Sequence, residues 1–467
     1  MSEKNIHPNK YSEPRSIFKH YIDSYIALYQ LKTEKEEELK DIYKKIKTEL
    51  IDSMKCPPKK IIEDIGNMFY ANNRYTKSYL FLVKLIYDDY HVQEFSNIPF
   101  FANFLLYKEY GIKLDKSLDF ENFKSENLDI HKEDTIYRAI MYNDLERFIA
   151  FTELDGFDKD QKIGSNLYSG RYSLLELCCY HGAVDCFKFL RSKFNSEITQ
   201  TCLNLSFLSG NPEIMSECLK YQQPDNECMK YAIISHNIDF VTFLMKEYDI
   251  TIDLENCIWY CNLDAFLDYF GQTNDITKCF VYSVMFDIPS LCEFFLSHGA
   301  NINEKVQNKE TSLHYAVGNN SKEITELLIS HGININEKDK FGKTALHYAV
   351  GNNNKEITEL LISHGININE KDNDGKTALY IAAGNNNKEM AELLISHGIS
   401  INEKDNDGKT ALHYAAGNNN KEMAELLISH GISINEKDKF GKTALHYATG
   451  IKRKGMAKLL ISHGTII

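Results

Sequence analysis

No apolar stretch in this sequence is long enough to cross a bilayer. The most apolar run, SYLFLVKLIY, has ten residues and carries Lys84, whereas a spanning helix needs about 20. The opening MSEKNIHPNKYSEPRS is polar and lacks the apolar core of a secretion signal. There is no CxxC pair among the 11 cysteines. The number is odd, and ten lie between Cys178 and Cys292, mostly in apolar stretches such as LCCYHGAVDCFKFL. Cys257 and Cys261 fall four apart on one apolar helical face. This is the usage of reduced, buried thiols in a reducing compartment, not of disulfides or zinc ligands. Also missing are a G-x-G-x-x-G after a strand, a G-x-x-x-x-G-K-[ST] loop, an H-E-x-x-H helix and a G-x-S-x-G elbow. The expectation is a soluble, intracellular, cytoplasmic protein with no catalytic residues, no metal and no cofactor.

What is present is ordinary for a folded chain of 467 residues: 43% hydrophobic, 25% charged, net charge −13. The charge is unevenly placed. Residues 131–300 hold 13 Lys and Arg against 25 Asp and Glu, while residues 301–467 hold 20 of each. An acidic middle block keeps the chain soluble, repels nucleic acid and anionic lipid, and could attract a basic partner.

Three zones follow one another. Residues 1–130 read as helices: SIFKHYIDSYIALYQL and EELKDIYKKIKTELIDSM carry helical apolar spacing, and Pro57-Pro58 ends the second run. Leu39, Ile42, Ile46 and Leu50 form one stripe. It covers fewer than three heptads, so it reads as a local helical core rather than a coiled coil, and a monomer is expected.

The third zone, residues 309–467, repeats itself. Thr311, Thr344, Thr377, Thr410 and Thr443 lie 33 apart, as do Leu313, Leu346, Leu379, Leu412 and Leu445, and Gly332, Gly365, Gly398, Gly431 and Gly464. A fixed period of this size marks a solenoid of stacked units. KTALHYAAG reads as a first short helix with Thr at its N-cap, GNNN as a turn, and KEMAELLISH as a second helix with Met423, Leu426 and Leu427 on one face. Gly431 supplies a left-handed C-terminal residue, and INEKDNDG crosses to the next unit.

The middle zone, residues 131–308, carries the same grammar in divergent form. Helix–turn–helix pairs are legible at DTIYRAIMYNDLERFIAF, SLLELCCYHGAVDCFKFLRS, CLNLSFLSGNPEIMSECLKY, CMKYAIISHNIDFVTFLMKEY and ENCIWYCNLDAFLDYF. Pro212 and Pro289 fall at the start of second helices, where proline is tolerated. About ten stacked units are expected, five of them clear.

The T-x-L-H core, the 33-residue period and the glycine after helix two resemble the ankyrin repeat. Its usual T-P-L-H proline is replaced here by Ser312, Ala345, Ala378, Ala411 and Ala444. The whole arrangement is similar to protozoan ankyrin proteins with an uncharacterised helical N-terminal domain, through IIEDIGNMFYANNRY, LLYKEYGI, LLELCCYHGAVDCFKFL and DIPSLCEFFLSHGANIN. The resemblance implies an all-α ankyrin solenoid, with helix–turn–helix units and hairpin-like fingers, behind a helical N-terminal domain. It implies a non-catalytic scaffold that binds a protein partner on its concave face and fingers. The alternative is that the N-terminal helices are an effector targeted by the repeats.

The periodic His314, His347, His413 and His446, and the SHG histidines from His331 to His463, could form a metal ladder. The family resemblance instead has the T-x-L-H histidine hydrogen-bonding neighbouring backbone, and Tyr380 interrupts the series. NEKDND lacks the ordered ligands of a calcium loop. Lys452, Arg453, Lys454 and Lys458 read as a polar cap closing the stack. Partner contacts are implied at the residues before each finger glycine: Lys340, Phe341, Asn373, Asp374, Asn406, Asp407, Lys439 and Phe440. Phe341 and Phe440 are the candidate anchors, against a reading in which each packs on a neighbouring finger.

Overall fold

A computed structural model describes residues 12–92, 98–115, 118–120, 132, 134–450 and 454–464. Lys452 and Arg453 of the basic cluster lie outside the described residues. The chain forms two compact units that divide between Asn274 and Asp275.

The first unit begins with six helices: α1 (Ser12–Ile17), α2 (Lys19–Tyr29), α3 (Glu36–Lys45), α4 (Pro58–Met68), α5 (Thr76–Tyr90) and α6 (Phe100–Tyr110). α3 runs on as a wider π-helical segment, Ile46–Ser53, and Pro57 in extended conformation starts α4 afresh with Pro58 at its first position. Leu39, Ile46 and Leu50 are buried inside this unit, where α3 packs on α5 and the π-helical segment on α2.

Five helix pairs follow in the same unit: α7 (Ile136–Met141) with α8 (Leu145–Thr152), α9 (Leu174–His181) with α10 (Val184–Phe194), α11 (Gln200–Ser209) with α12 (Pro212–Cys218), α13 (Asn226–Ile234) with α14 (Ile238–Tyr248), and α15 (Leu254–Trp259) with α16 (Leu263–Thr273). A short antiparallel hairpin, β1 (Lys162–Gly164) with β2 (Arg171–Ser173), precedes α9 and pairs Lys162 with Ser173. Short polar side chains open these helices. Ser173 and Glu176 form a reciprocal capping box on α9, and Asp225, Asp253 and Asn262 accept first-turn amides of α13, α15 and α16.

The N-terminal helices lie against the turns of these pairs. Arg15 reaches Asp264 at 2.6 Å and Asp268 at 3.3 Å. Tyr29 stacks on the buried His236 with ring centroids 4.1 Å apart, and Gln30 donates to the carbonyls of Ser235 and His236 at 3.2 Å. Arg74 donates to the His181 carbonyl at 2.9 Å, and the Tyr180 hydroxyl to the Tyr70 carbonyl at 2.8 Å. Beneath them the buried Asp64 accepts from the Tyr25 hydroxyl and the Lys60 ammonium, both at 2.6 Å. Burial, and then the Asp64 charge, push the Cys261 thiol far above its ordinary range, so it stays neutral.

The second unit contains six more pairs: α17 (Ile276–Ser283) with α18 (Pro289–Ser297), α19 (Ser312–Gly318) with α20 (Lys322–Ser330), α21 (Ala345–Gly351) with α22 (Lys355–Ser363), α23 (Ala378–Gly384) with α24 (Lys388–Ser396), α25 (Ala411–Asn418) with α26 (Lys421–Ser429), and α27 (Ala444–Gly450) with α28 (Lys454–Ser462). The described residues thus hold eleven pairs. In ten of them one left-handed residue turns helix one into helix two: Asn143, Gly182, Gly210, His236, Cys261, Asp287, Asn320, Asn353, Asn386 and Asn419. All eleven cysteines are buried and none is in a disulfide, as the apolar settings of the ten between Cys178 and Cys292 implied.

Replacing Asp64 by Ala should destabilise the protein by on the order of 1–3 kcal/mol, because the buried Tyr25 hydroxyl loses its acceptor, while the part-exposed Lys60 turns to water. A shift of the urea midpoint measures this; an unchanged midpoint refutes it.

Candidate partner-binding surface

Four fingers of the second unit, at Asp339, Asp372, Asp405 and Asp438, are built on one aspartate each, while Val306 stands at that place in the finger before them. Asp339 Oδ1 accepts the amides of Phe341 and Lys343, both at 2.8 Å, and Oδ2 accepts the Tyr348 hydroxyl at 2.8 Å. Asp405 repeats this with Asp407, Lys409 and Tyr414, and Asp438 with Phe440, Lys442 and Tyr447. In the unit where Ile381 replaces the tyrosine, Asp372 keeps its two amides, from Asp374 and Lys376, and is only half-buried. The Asp-to-Tyr spacing of nine residues carried this signal in the sequence, and sequence reasoning passed over it.

Each finger is also tied to the next. The amides of Asn373, Asn406 and Lys439 donate to the carbonyls of Phe341, Asp374 and Asp407 at 2.8 Å. The side-chain amides of Asn373 and Asn406 donate to the Lys340 and Asn373 carbonyls, also at 2.8 Å. Lys338, Lys371 and Lys404 form ion pairs with Glu370, Glu403 and Glu436 of the following unit at 2.6 to 2.8 Å. The NEKD charges therefore hold units together. Gly375 is required twice over: its φ is +81°, and a Cβ there would sit 2.8 Å from the Asn406 amide nitrogen.

The T-x-L-H histidines are structural, as the resemblance implied. Nδ1 of His314, His347 and His413 accepts the amide of the threonine three residues earlier at 3.0 to 3.2 Å. Nε2 meets the carbonyl of Lys343, Lys376 or Lys442 in the next unit at 3.2 Å. An amide must donate and a carbonyl must accept, so only the neutral ring protonated on Nε2 satisfies both. The threonine occupies the N-cap position as expected, and the imidazole reaches back to its amide to complete a reciprocal capping box. Tyr380 reaches the equivalent Lys409 carbonyl through its hydroxyl at 2.8 Å, and leaves the buried Thr377 Oγ1 without a partner. The SHG histidines cap their own helices: Nδ1 of His331, His364, His397, His430 and His463 bonds the carbonyl four residues back at 2.9 Å.

All eight residues singled out from the sequence are exposed, one pair on each finger. Phe341 is 51% and Phe440 74% exposed. The Lys340 ammonium stands 4.8 Å from the Phe341 ring centroid, an attraction within one finger rather than packing on another. Asp374 and Asp407 pair with Lys376 and Lys409 of their own fingers at 3.1 Å. Asn373 and Asn406 have their side-chain amides committed to the finger ladder, so sequence reasoning missed a structural role for them.

Residues 280–467 are ankyrin repeats. The family model described as ankyrin repeats (3 copies) matches in four overlapping stretches, 280–372, 334–405, 368–438 and 400–467. Residues 194–269, from the end of α10 through most of α16, match a domain of unknown function (DUF3447). No curated protein matches the chain. Ankyrin repeats generally mediate protein–protein interaction, and proteins built from them are typically non-enzymatic scaffolds. Among the described residues no helix is long and apolar enough to cross a membrane.

Gly375→Ala should cost at least about 1 kcal/mol through its backbone strain alone, with further loss from the crowded neighbouring finger. A lowered urea midpoint is the readout, and a neutral result would refute the close approach. Acid provides a second check. Burial lowers the pKa of His314, His347 and His413 below the ordinary 6.5, and brings the buried His236 to about 4. The unfolded chain therefore takes up protons first. Stability present above pH 6.5 should fall as pH drops from 6.5 toward the folded values. Urea midpoints between pH 7.5 and 5 test this, and a flat profile contradicts it.

Proposed function

We propose that this protein is a non-catalytic scaffold that acts inside the cell and holds a partner protein on the concave face and fingers of its near-identical repeats, residues 309–467. Lys340, Phe341, Asn373, Asp374, Asn406, Asp407, Lys439 and Phe440 form the contact row. Residues 1–130 and 131–308 are its helical and divergent-repeat portions. The observation that carries this reading is the pair of phenylalanine rings presented to solvent on fingers that hydrogen bonds already fix. An exposed aromatic ring on a preorganised support binds with little ordering cost. Eleven buried cysteines, none in a disulfide, suit a reducing compartment.

The double variant Phe341→Ala, Phe440→Ala should weaken the partner by on the order of 1–4 kcal/mol. Helicity and urea midpoint should stay unchanged, because neither ring is in the core. The partner is first captured with the intact chain, then titrated against both proteins by calorimetry. Equal affinities, or a loss of binding matched by a loss of helicity, would end the proposal.

A further inference from the structure

Two positions before the left-handed turn residue, the five pairs of the first unit carry an apolar row: Met141, Tyr180, Leu208, Ile234 and Trp259. The clear repeats of the second unit carry glycine there: Gly318, Gly351, Gly384 and Gly417. A large apolar side chain at a turn needs cover, and glycine needs none. In the first unit the chain's own N-terminal helices supply it. Met141, Tyr180 and Ile234 are buried and Leu208 half-buried. Tyr180, Leu208 and Ile234 line a cavity of about 240 Å³ together with Tyr29, Gln30 and Asn72. Trp259 ends the row and is 67% exposed.

The surroundings of Trp259 are acidic. Within the first unit, residues 247–274 contain six Asp and Glu and no Lys or Arg. Asp264 and Asp268 are already engaged by Arg15, which shows how a cation seats on α16. Asp253 and Glu255, at the start of α15, are exposed, and Glu255 lies one helical turn before Trp259 on the same face. On α13, which packs on α15, Lys230 is held by Glu227 at 3.2 Å. An indole is the strongest aromatic acceptor for a guanidinium or ammonium group, and charge complementarity selects the sign of what approaches.

We propose that Trp259, with Asp253 and Glu255, is a second docking point, separate from the fingers, and that its occupant is a basic segment of another protein. One Arg or Lys side chain lies over the indole, and its neighbours meet the carboxylates.

Trp259 is the chain's single tryptophan beside 28 tyrosines, so emission excited at the red edge, where tyrosine does not absorb, reports on this site alone. Titration with an eight-residue oligoarginine peptide should give a saturable change in the indole spectrum that weakens with salt. Anisotropy of the labelled peptide should show Trp259→Ala and the pair Asp253→Asn, Glu255→Gln each binding at least about fivefold more weakly. The control pair Glu323→Gln, Glu326→Gln on α20 removes two exposed charges elsewhere and should leave binding unchanged. The proposal is overturned if the control weakens binding equally, if Trp259→Ala binds as the parent does, or if the indole spectrum is unmoved at saturation. A spectrum that shifts with the protein's own concentration would overturn it in favour of a second copy as the occupant. Circular dichroism verifies that each variant is folded, and the charge-only pair carries the test if Trp259→Ala is not.

Discussion

A pair of helices seven and nine residues long, such as α21 and α22, has no core of its own. Each must be covered by the pair before and the pair after it, and three repeated polar links serve that coupling in the second unit. The imidazole of one unit bonds the carbonyl 29 residues on, the finger amide bonds the finger before it, and lysine of one NEKD segment pairs with glutamate of the next. Because every link runs to a neighbour, a copied sequence is also a copied interface.

These links occupy the repeated His, Asp, Glu and Lys of the second unit, and little free chemistry remains among its described residues. The histidines that suggested a metal ladder have one nitrogen on an amide and the other on a carbonyl. The finger aspartates close turns and hold tyrosine hydroxyls. Once these groups are assigned to the stack, what stands out on the fingers is the two phenylalanine rings and the lysines beside them. The surface offers contact area and charge, which is the equipment of a binding scaffold.

The first unit solves the same problem with different means. Its pairs lack the repeated histidine and NEKD ladders, and in their place it uses side-chain caps, buried cysteines and contacts from α1, α2 and the α4–α5 connection. Proline positions follow the same logic in both units. Pro212 and Pro289 open second helices where no amide is needed.

Local chemistry was enough to read the repeats from sequence. The period, the apolar spacing, the left-handed glycines and the cysteine settings are all short-range patterns, each with one physical solution. The N-terminal zone was legible as helices for the same reason, and its prolines marked where they break. Tertiary structure alone decided what those helices cover, since nothing in DIGNMFYANNRY announces that Arg74 will meet His181, and nothing in SYIALYQL that Tyr29 will stack on His236. It also decided which candidate residues are free to bind. Asn373 and Phe341 look equally available in sequence, yet one amide is held by the neighbouring finger and the ring beside it faces water. Trp259 is an apolar residue like Ile234 until the placement of the helices buries one and leaves the other in solvent. Burial is a property of neighbours distant in the chain, and a residue's own type and spacing do not contain it.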